Sequence, residues 1–251
     1  MEFIRRIFSA LWKTWFALIF ILVFLCFYPL FVIFLQNKKN ISIVMLLKRL
    51  DGGISLFLSG IFFKRHYHIN IKEIPQPCVI VANHSSYLDI ILSYHALPIN
   101  IIFMAKAELL KVPLFNVFFK KLDIPVNRKS NTDAHKALQR AAKEIQNGNN
   151  IFIFPEGTIS NEGKLKPFKN GAFKLAIDEQ VPILPITYIS NWKLLQNGGF
   201  FKSFGRPGIA DIVIHPPIIT KGMSEENLVL LREEVRNLTE KTLLEFKQHS
   251  S

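Results

Sequence analysis

From Thr14 to Leu35 the chain runs for 22 residues without a charged side chain, TWFALIFILVFLCFYPLFVIFL. Wound as an α-helix at about 1.5 Å per residue, such a run covers the ~30 Å of a bilayer hydrocarbon core. Arg5, Arg6 and Lys13 precede it, as in a secretory signal. The run is longer than a signal's apolar core, and no small-x-small cleavage site follows it, so it reads as an anchor and not as a cleaved leader. Lys38, Lys39, Lys48 and Arg49 follow, so both flanks are basic and no charge asymmetry orients a simple span. Pro29 is a bending point, and two shorter apolar stretches come next, Ile41–Leu47 and Ile54–Phe63, the second of a length that suits a re-entrant or interfacial segment. The expectation is a bent, two-helix membrane-anchoring segment over residues 1–65 with both ends on the cytoplasmic side of the cell membrane. A single span is the alternative.

Charge narrows the partners. Lys plus Arg exceed Asp plus Glu by 31 − 19 = 12, which favours nucleic acid, a phosphate-bearing substrate or an anionic membrane surface. The basic residues form no long run, and they accompany 23 Phe and an apolar N-terminus. A lipid surface fits this better than nucleic acid. Cys26 and Cys78 belong to no C-x-x-C pair and read as small buried hydrophobes. His66, His68 and His95 have no metal-ligand spacing, so no metal is expected. Gly157 and Gly163-Lys164 do not make a phosphate-binding loop: five residues separate the glycines, and Leu165 stands where Ser or Thr is needed.

After His66 short β-prone runs appear at Cys78–Ala82, Ile101–Met104, Ile151–Phe154, Ile183–Ile189 and Ile209–Ile214. Helical patterns separate them. In Thr132–Asn147, Ala134, Ala137, Leu138, Ala141, Ala142 and Ile145 fall on one face, with Asn131 or Thr132 as cap and Gly148 as terminator. A last helix, Glu225–Lys247, follows Ser224. Strands alternating with helices predict an α/β fold, a mostly parallel sheet flanked by helices, over residues 66–251. In such sheets chemistry gathers where strands end.

Two motifs sit at those places. The run CVIVA leads into Asn83-His84-Ser85-Ser86-Tyr87-Leu88-Asp89. Within one helix, residues five apart point about 140° from each other, so His84 must precede the helix, with Ser85 or Ser86 as cap, for Asp89 to reach its ring. An Asp bound to one ring nitrogen leaves the other free as a base. Such a base suffices when a thioester supplies the acyl group, because the thiolate leaves readily and no serine nucleophile is needed. The second motif, IFIF followed by Pro155-Glu156-Gly157-Thr158, places a carboxylate, a permissive glycine and a hydroxyl in one turn, a set suited to a polar headgroup.

Together these motifs resemble the glycerophospholipid acyltransferases, especially the 1-acylglycerol-3-phosphate O-acyltransferases. NHSSYLD is similar to that family's NHxxxxD block and FPEGTIS to its FPEGTRS block; DIPVNR (Asp123–Arg128) and VPILPIT (Val181–Thr187) are looser matches. The resemblance covers roughly residues 75–190, in the family's order. It implies a His84–Asp89 dyad, acceptor binding by Arg128, Glu156, Gly157, Thr158 and Lys106 (in MAKAEL), and acyl transfer to a lysophospholipid at the cytoplasmic membrane face. No bound cofactor is implied, only an acyl carrier protein or coenzyme A thioester as co-substrate. One departure stands out: Ile159 occupies the position of the family's arginine. Arg128 with Lys106, Lys129, Lys166 or Lys169 can compensate, or the acceptor is another lyso-lipid, such as a lyso-aminolipid or lysophosphatidylcholine. A non-catalytic lipid-binding protein is the remaining reading. Finally, Asn197–Gly208 mixes Phe200, Phe201 and Phe204 with Lys202 and Arg206, as an interfacial loop does.

Overall fold

The computed structural model describes residues 2–127, 130–160 and 163–248. Two helices open the chain, α1 (Glu2–Phe34) and α2 (Ile41–Leu58). Then come β1 (Ile61–Tyr67), β2 (Val79–Ala82), α3 (Leu88–Ala96), β3 (Ile101–Lys106), α4 (Asn116–Lys121), β4 (Ile124–Val126), α5 (Asn131–Gln146) and β5 (Asn150–Ile153). The chain finishes with α6 (Gly171–Asp178), β6 (Ile183–Tyr188), α7 (Asn191–Leu194), β7 (Gly208–Ile214) and α8 (Leu228–Gln248). Seven strands form one sheet in the order β1-β7-β6-β2-β5-β3-β4, parallel throughout except where β6 meets β7. The expected α/β class, a mostly parallel sheet with helices and an apolar N-terminal helix, is what forms.

Burial explains the strand order. Val79, Ile80, Val81 and Ala82 are all buried, as a β-branched run covered on both faces must be, and β2 takes the centre. The amphipathic α5 buries Ala137, Ala141 and Ile145 and packs Ala134, Leu138 and Ala142 against the core. Its cap is Ser130, whose side chain accepts from Asp133 N at 3.2 Å, in place of the expected Asn131 or Thr132. Gly148 ends the helix in a left-handed conformation, φ +83°.

The N-terminal region forms two helices, but with different bounds from those expected. The helix α1 continues through Pro29, and α2 absorbs Ile41–Leu47 together with the start of Ile54–Phe63. The remainder of that second stretch becomes β1, which pairs with β7, so the expected boundary at 65/66 falls inside a strand of the sheet. By length and composition α1 can cross a membrane. Its companion α2 is docked on the sheet domain: Lys48 pairs with Asp123 at 3.3 Å, and Arg49 donates to the carbonyls of Tyr94, Leu97 and Ile99. Cys78 is buried, its thiol pushed up to about 12 by loss of solvent. Cys26 is exposed on the outer side of α1, not buried as expected, because that side faces away from the sheet domain.

Candidate active site

The register of the central strands brings the two motifs together. Val81 of β2 lies opposite Ile153 of β5, so the segments that leave these strands, Asn83–Tyr87 and Phe154–Ser160, emerge side by side. Asn83 extends the β2–β6 pairing by one side chain, accepting from Tyr188 N at 2.8 Å and donating to Tyr188 O at 3.0 Å. His84 comes next, ahead of α3; the helix's N-cap residue is Tyr87, not the expected Ser85 or Ser86, although Ser86 Oγ accepts from Leu88 N at 3.1 Å.

The ring of His84 lies 2.9 Å from Asp89, Nδ1 to Oδ2. Asp89 is fully buried, and its carboxylate is saturated: Oδ2 also accepts from Ser85 N at 2.6 Å and Ser86 N at 2.9 Å, and Oδ1 accepts from Asn191 Nδ2 at 2.7 Å. Three neutral donors besides the imidazole satisfy a buried charge that would otherwise be costly. Phe154 stacks flat on the imidazole, centroids 4.0 Å apart and planes 14° apart, which fixes the plane of the ring. The Nε2 atom makes no hydrogen bond with any described residue, and the side chain keeps a tenth of its exposure. An imidazole held this way has one nitrogen committed and one free.

Glu156 does something other than face a headgroup. It is buried, its Oε1 accepts from His84 N at 2.7 Å, and its Oε2 accepts from Lys166 N at 3.0 Å. Both oxygens are spent on backbone donors, so the carboxylate braces the two loops where the sequence reading had it meet substrate. Loss of solvent pushes its carboxyl up to about 7, against the lowering effect of those two bonds. Gly157 turns at φ +75°, and a Cβ there would lie 3.1 Å from both Cε and Nζ of Lys169, which runs across the turn. Lys169 N is itself tied to Pro155 O at 3.0 Å. Thr158 is exposed beside this turn. The Lys166 ammonium donates to Ile159 O at 3.1 Å, so a cation stands where the family's arginine is missing. Lys106 leaves the end of β3, exposed and 3.2 Å from Glu108. Arg128 lies outside the described residues. Among the described residues no group of three or more His, Cys, Asp or Glu is placed to hold a metal ion.

Two contributors escaped the sequence reading. Asn191 lies 102 positions from Asp89, beyond the reach of any local pattern. The stacking of Phe154 was hidden because a phenylalanine that ends a buried strand reads as core.

Known proteins are similar to this chain in sequence and in fold. The profile described as Acyltransferase covers residues 64–189. The chain belongs to the acyltransferase family. Among relatives in this family, 1-acyl-sn-glycerol-3-phosphate acyltransferase alpha of Homo sapiens is 32% identical over 212 residues, 80% of this chain and 68% of its own length. The chloroplastic 1-acyl-sn-glycerol-3-phosphate acyltransferase BAT2 of Brassica napus is 32% identical over 169 residues, 67% of this chain but 47% of its own. The chain therefore spans about half of that plant acyltransferase and about two thirds of the human one. Among solved acyltransferases, the 1-acyl-sn-glycerophosphate (LPA) acyltransferase PlsC of Thermotoga maritima superposes with a TM-score of 0.75 at 27% identity, covering 98% of each chain.

Proposed function

We propose that the protein transfers a fatty acyl group from a thioester to the free hydroxyl of 1-acylglycerol-3-phosphate, yielding phosphatidic acid for phospholipid biosynthesis. The observation that carries this reading is the free Nε2 of an imidazole whose other nitrogen is fixed by a saturated, buried carboxylate. His84 takes the proton of the acceptor hydroxyl through Nε2 as the oxygen attacks the thioester carbonyl. The C–O bond forms, the tetrahedral centre collapses, the C–S bond breaks, and the thiolate leaves to collect a proton. Asp89 keeps Nδ1 protonated and supports the imidazolium in the transition state. Acyl carrier protein or coenzyme A serves as the thiol carrier.

The acceptor's phosphate falls to cations around the FPEGT turn. Lys169 spans Gly157 and pairs with no described residue, and Lys166 stands at Ile159; the family resemblance adds Arg128 and Lys106 as acceptor-binding residues. Gly157 and Thr158 shape and line the turn, and Glu156 braces it. The anchor comprises α1 and α2, the acyltransferase domain begins with β1, and the working face is on the cytoplasmic side of the cell membrane. Ile159 favours one second reading, a lyso-lipid acceptor without a phosphate monoester.

Purified protein offered a panel of lyso-lipids with each thioester donor decides between these. Mass spectrometry should find phosphatidic acid as the main product. Acylation of lysophosphatidylcholine or a lyso-aminolipid, with 1-acylglycerol-3-phosphate untouched, would establish the second reading instead.

A further inference from the structure

The loop between α7 and β7 closes on itself: Leu195 and Gly205 form an antiparallel bridge, Gln196 N donates to Phe204 O at 2.9 Å, and Arg206 N donates to Leu194 O at 2.8 Å. The first turns of α1 lie along this loop and are locked to it. The Lys13 ammonium, on a side chain only 6% exposed overall, donates to the carbonyls of Phe200 and Ser203. Gly205 N donates to Ser9 Oγ at 2.8 Å, and the Arg5 guanidinium sits 4.6 Å from the Phe204 ring centroid. Contact is so close at Gly205 that a Cβ would fall 2.6 Å from Lys13 Cγ and 2.9 Å from the Trp12 ring.

Two consequences follow from this clamp. The lysine that precedes the apolar run is folded under the loop, its ammonium held by loop carbonyls, while Phe3, Ile7, Phe8, Leu11, Trp15 and Leu18 are exposed on the other side of α1. The loop in turn presents Phe201, 79% exposed, and Phe200, 45% exposed, packed edge to face at 5.1 Å. Exposed aromatic rings bordered by Lys202 and Arg206, continuous with an apolar helix, match a bilayer with anionic headgroups. An acidic protein partner would meet the same cations but would leave the two rings in water.

We propose that the Leu195–Gly205 loop is a second membrane-docking element, rigidly coupled to α1, that seats Phe200 and Phe201 among the lipid acyl chains. Its root bears on catalysis: Leu195 O accepts from Ser86 Oγ at 2.7 Å, beside the dyad, so docking of this loop fixes how the site meets the lipid surface. The inference rests on the membrane-anchored reading and is independent of which lyso-lipid is acylated.

The test uses the full chain with an environment-sensitive fluorophore on Phe201→Cys in a Cys26→Ser background, compared with the same label on the native Cys26 of α1. Vesicles of phosphatidylcholine with about one third phosphatidylglycerol, a composition chosen to supply anionic headgroups, should shift the emission of both labels to the blue, and lipids carrying acyl-chain quenchers should quench both. A silent Phe201→Cys label beside a responding Cys26 label would overturn the docking of the loop while leaving the anchor intact. Silence at both would overturn the membrane reading itself. A response of the loop label to acyl carrier protein without vesicles would overturn the proposal in favour of a protein-docking loop.

Discussion

Two histidine–aspartate pairs among the described residues have the same separation and opposite surroundings. His84 and Asp89 approach to 2.9 Å between β2 and α3, and His66 and Asp211 approach to 2.9 Å on β1 and β7. In the first pair the side chains are 10% and 0% exposed; in the second they are 37% and 27% exposed. Asp89 accepts three further hydrogen bonds, whereas no other described group bonds the carboxylate of Asp211. The His66 ring meets Phe246 edge-on, while the His84 ring lies flat on Phe154. A short N···O distance therefore does not by itself position a base. What sets the proposed dyad apart is the enclosure of its carboxylate and the stacked ring, which leave Nε2 without a bond to any described residue.

The comparison is broken most severely by His84→Ala. A general base contributes about 10²–10⁴-fold, and kcat should fall by that amount. Circular dichroism should stay native, because the ring is a small part of the core around β2. Retention of more than a tenth of wild-type turnover would remove His84 from the mechanism.

Next in size is Asn191→Asp, which sets a second carboxylate 2.7 Å from Asp89. Two carboxylates so close share a proton at neutral pH, and Asp89 then ceases to orient the imidazole. We expect kcat to fall by about 10–10²-fold, below the loss of the base itself, with KM unchanged. The acid limb of the pH–rate profile should move to higher pH. Asn191→Ala should lower kcat less and leave that limb close to its wild-type position. A limb unmoved by Asn191→Asp would show that Asn191 only fills space.

These two residues also mark where the sequence was legible. The contact between His84 and Asp89 could be anticipated because their relation is local: a strand exit, a helix start and a spacing of five. The parallel sheet was legible from apolar runs such as VIVA and IFIF, whose burial on both faces matches their composition. Two strands were missed. Strand β4 has only three residues, and β1 begins with apolar residues that looked like the tail of the anchor and continues through the polar run Lys64-Arg65-His66 to Tyr67 with no clear alternation. The role of Glu156 was misread because whether a carboxylate faces a ligand or two backbone amides is decided by burial, which one residue in one turn does not encode. Asn191 could not be read at all, since only the folding of β6 against β2 brings it to Asp89.

Glu156→Gln sharpens the comparison from the backbone side. Gln must turn an NH2 group towards either His84 N or Lys166 N, both donors, and a buried unpaired donor costs about 1–3 kcal/mol. The pH dependence has a definite sign. The carboxyl is raised from 4.5 to about 7 in the folded protein, so between those values the folded chain retains a proton that the unfolded chain has released. Its contribution is fully present below pH 4.5 and is lost as pH rises through about 7. Wild-type Tm should therefore carry a declining component from pH 5 to pH 8 that Glu156→Gln lacks. Parallel Tm profiles for the two proteins would contradict a buried, proton-holding Glu156.

The smallest effect belongs to the other pair. His66→Ala and Asp211→Asn remove a contact that water reaches from both sides, and exposed ion pairs contribute about 0–1 kcal/mol. Charge on His66 is also unnecessary for the bond, since a neutral ring can donate from the nitrogen that faces Asp211. Turnover should stay within about twofold of wild type, and Tm should move by a few degrees at most, consistent with that range of energies. A loss of turnover comparable to His84→Ala would mean that the edge formed by β1 and β7 takes part in the chemistry. Enclosure would then fail as the criterion that separates the two pairs.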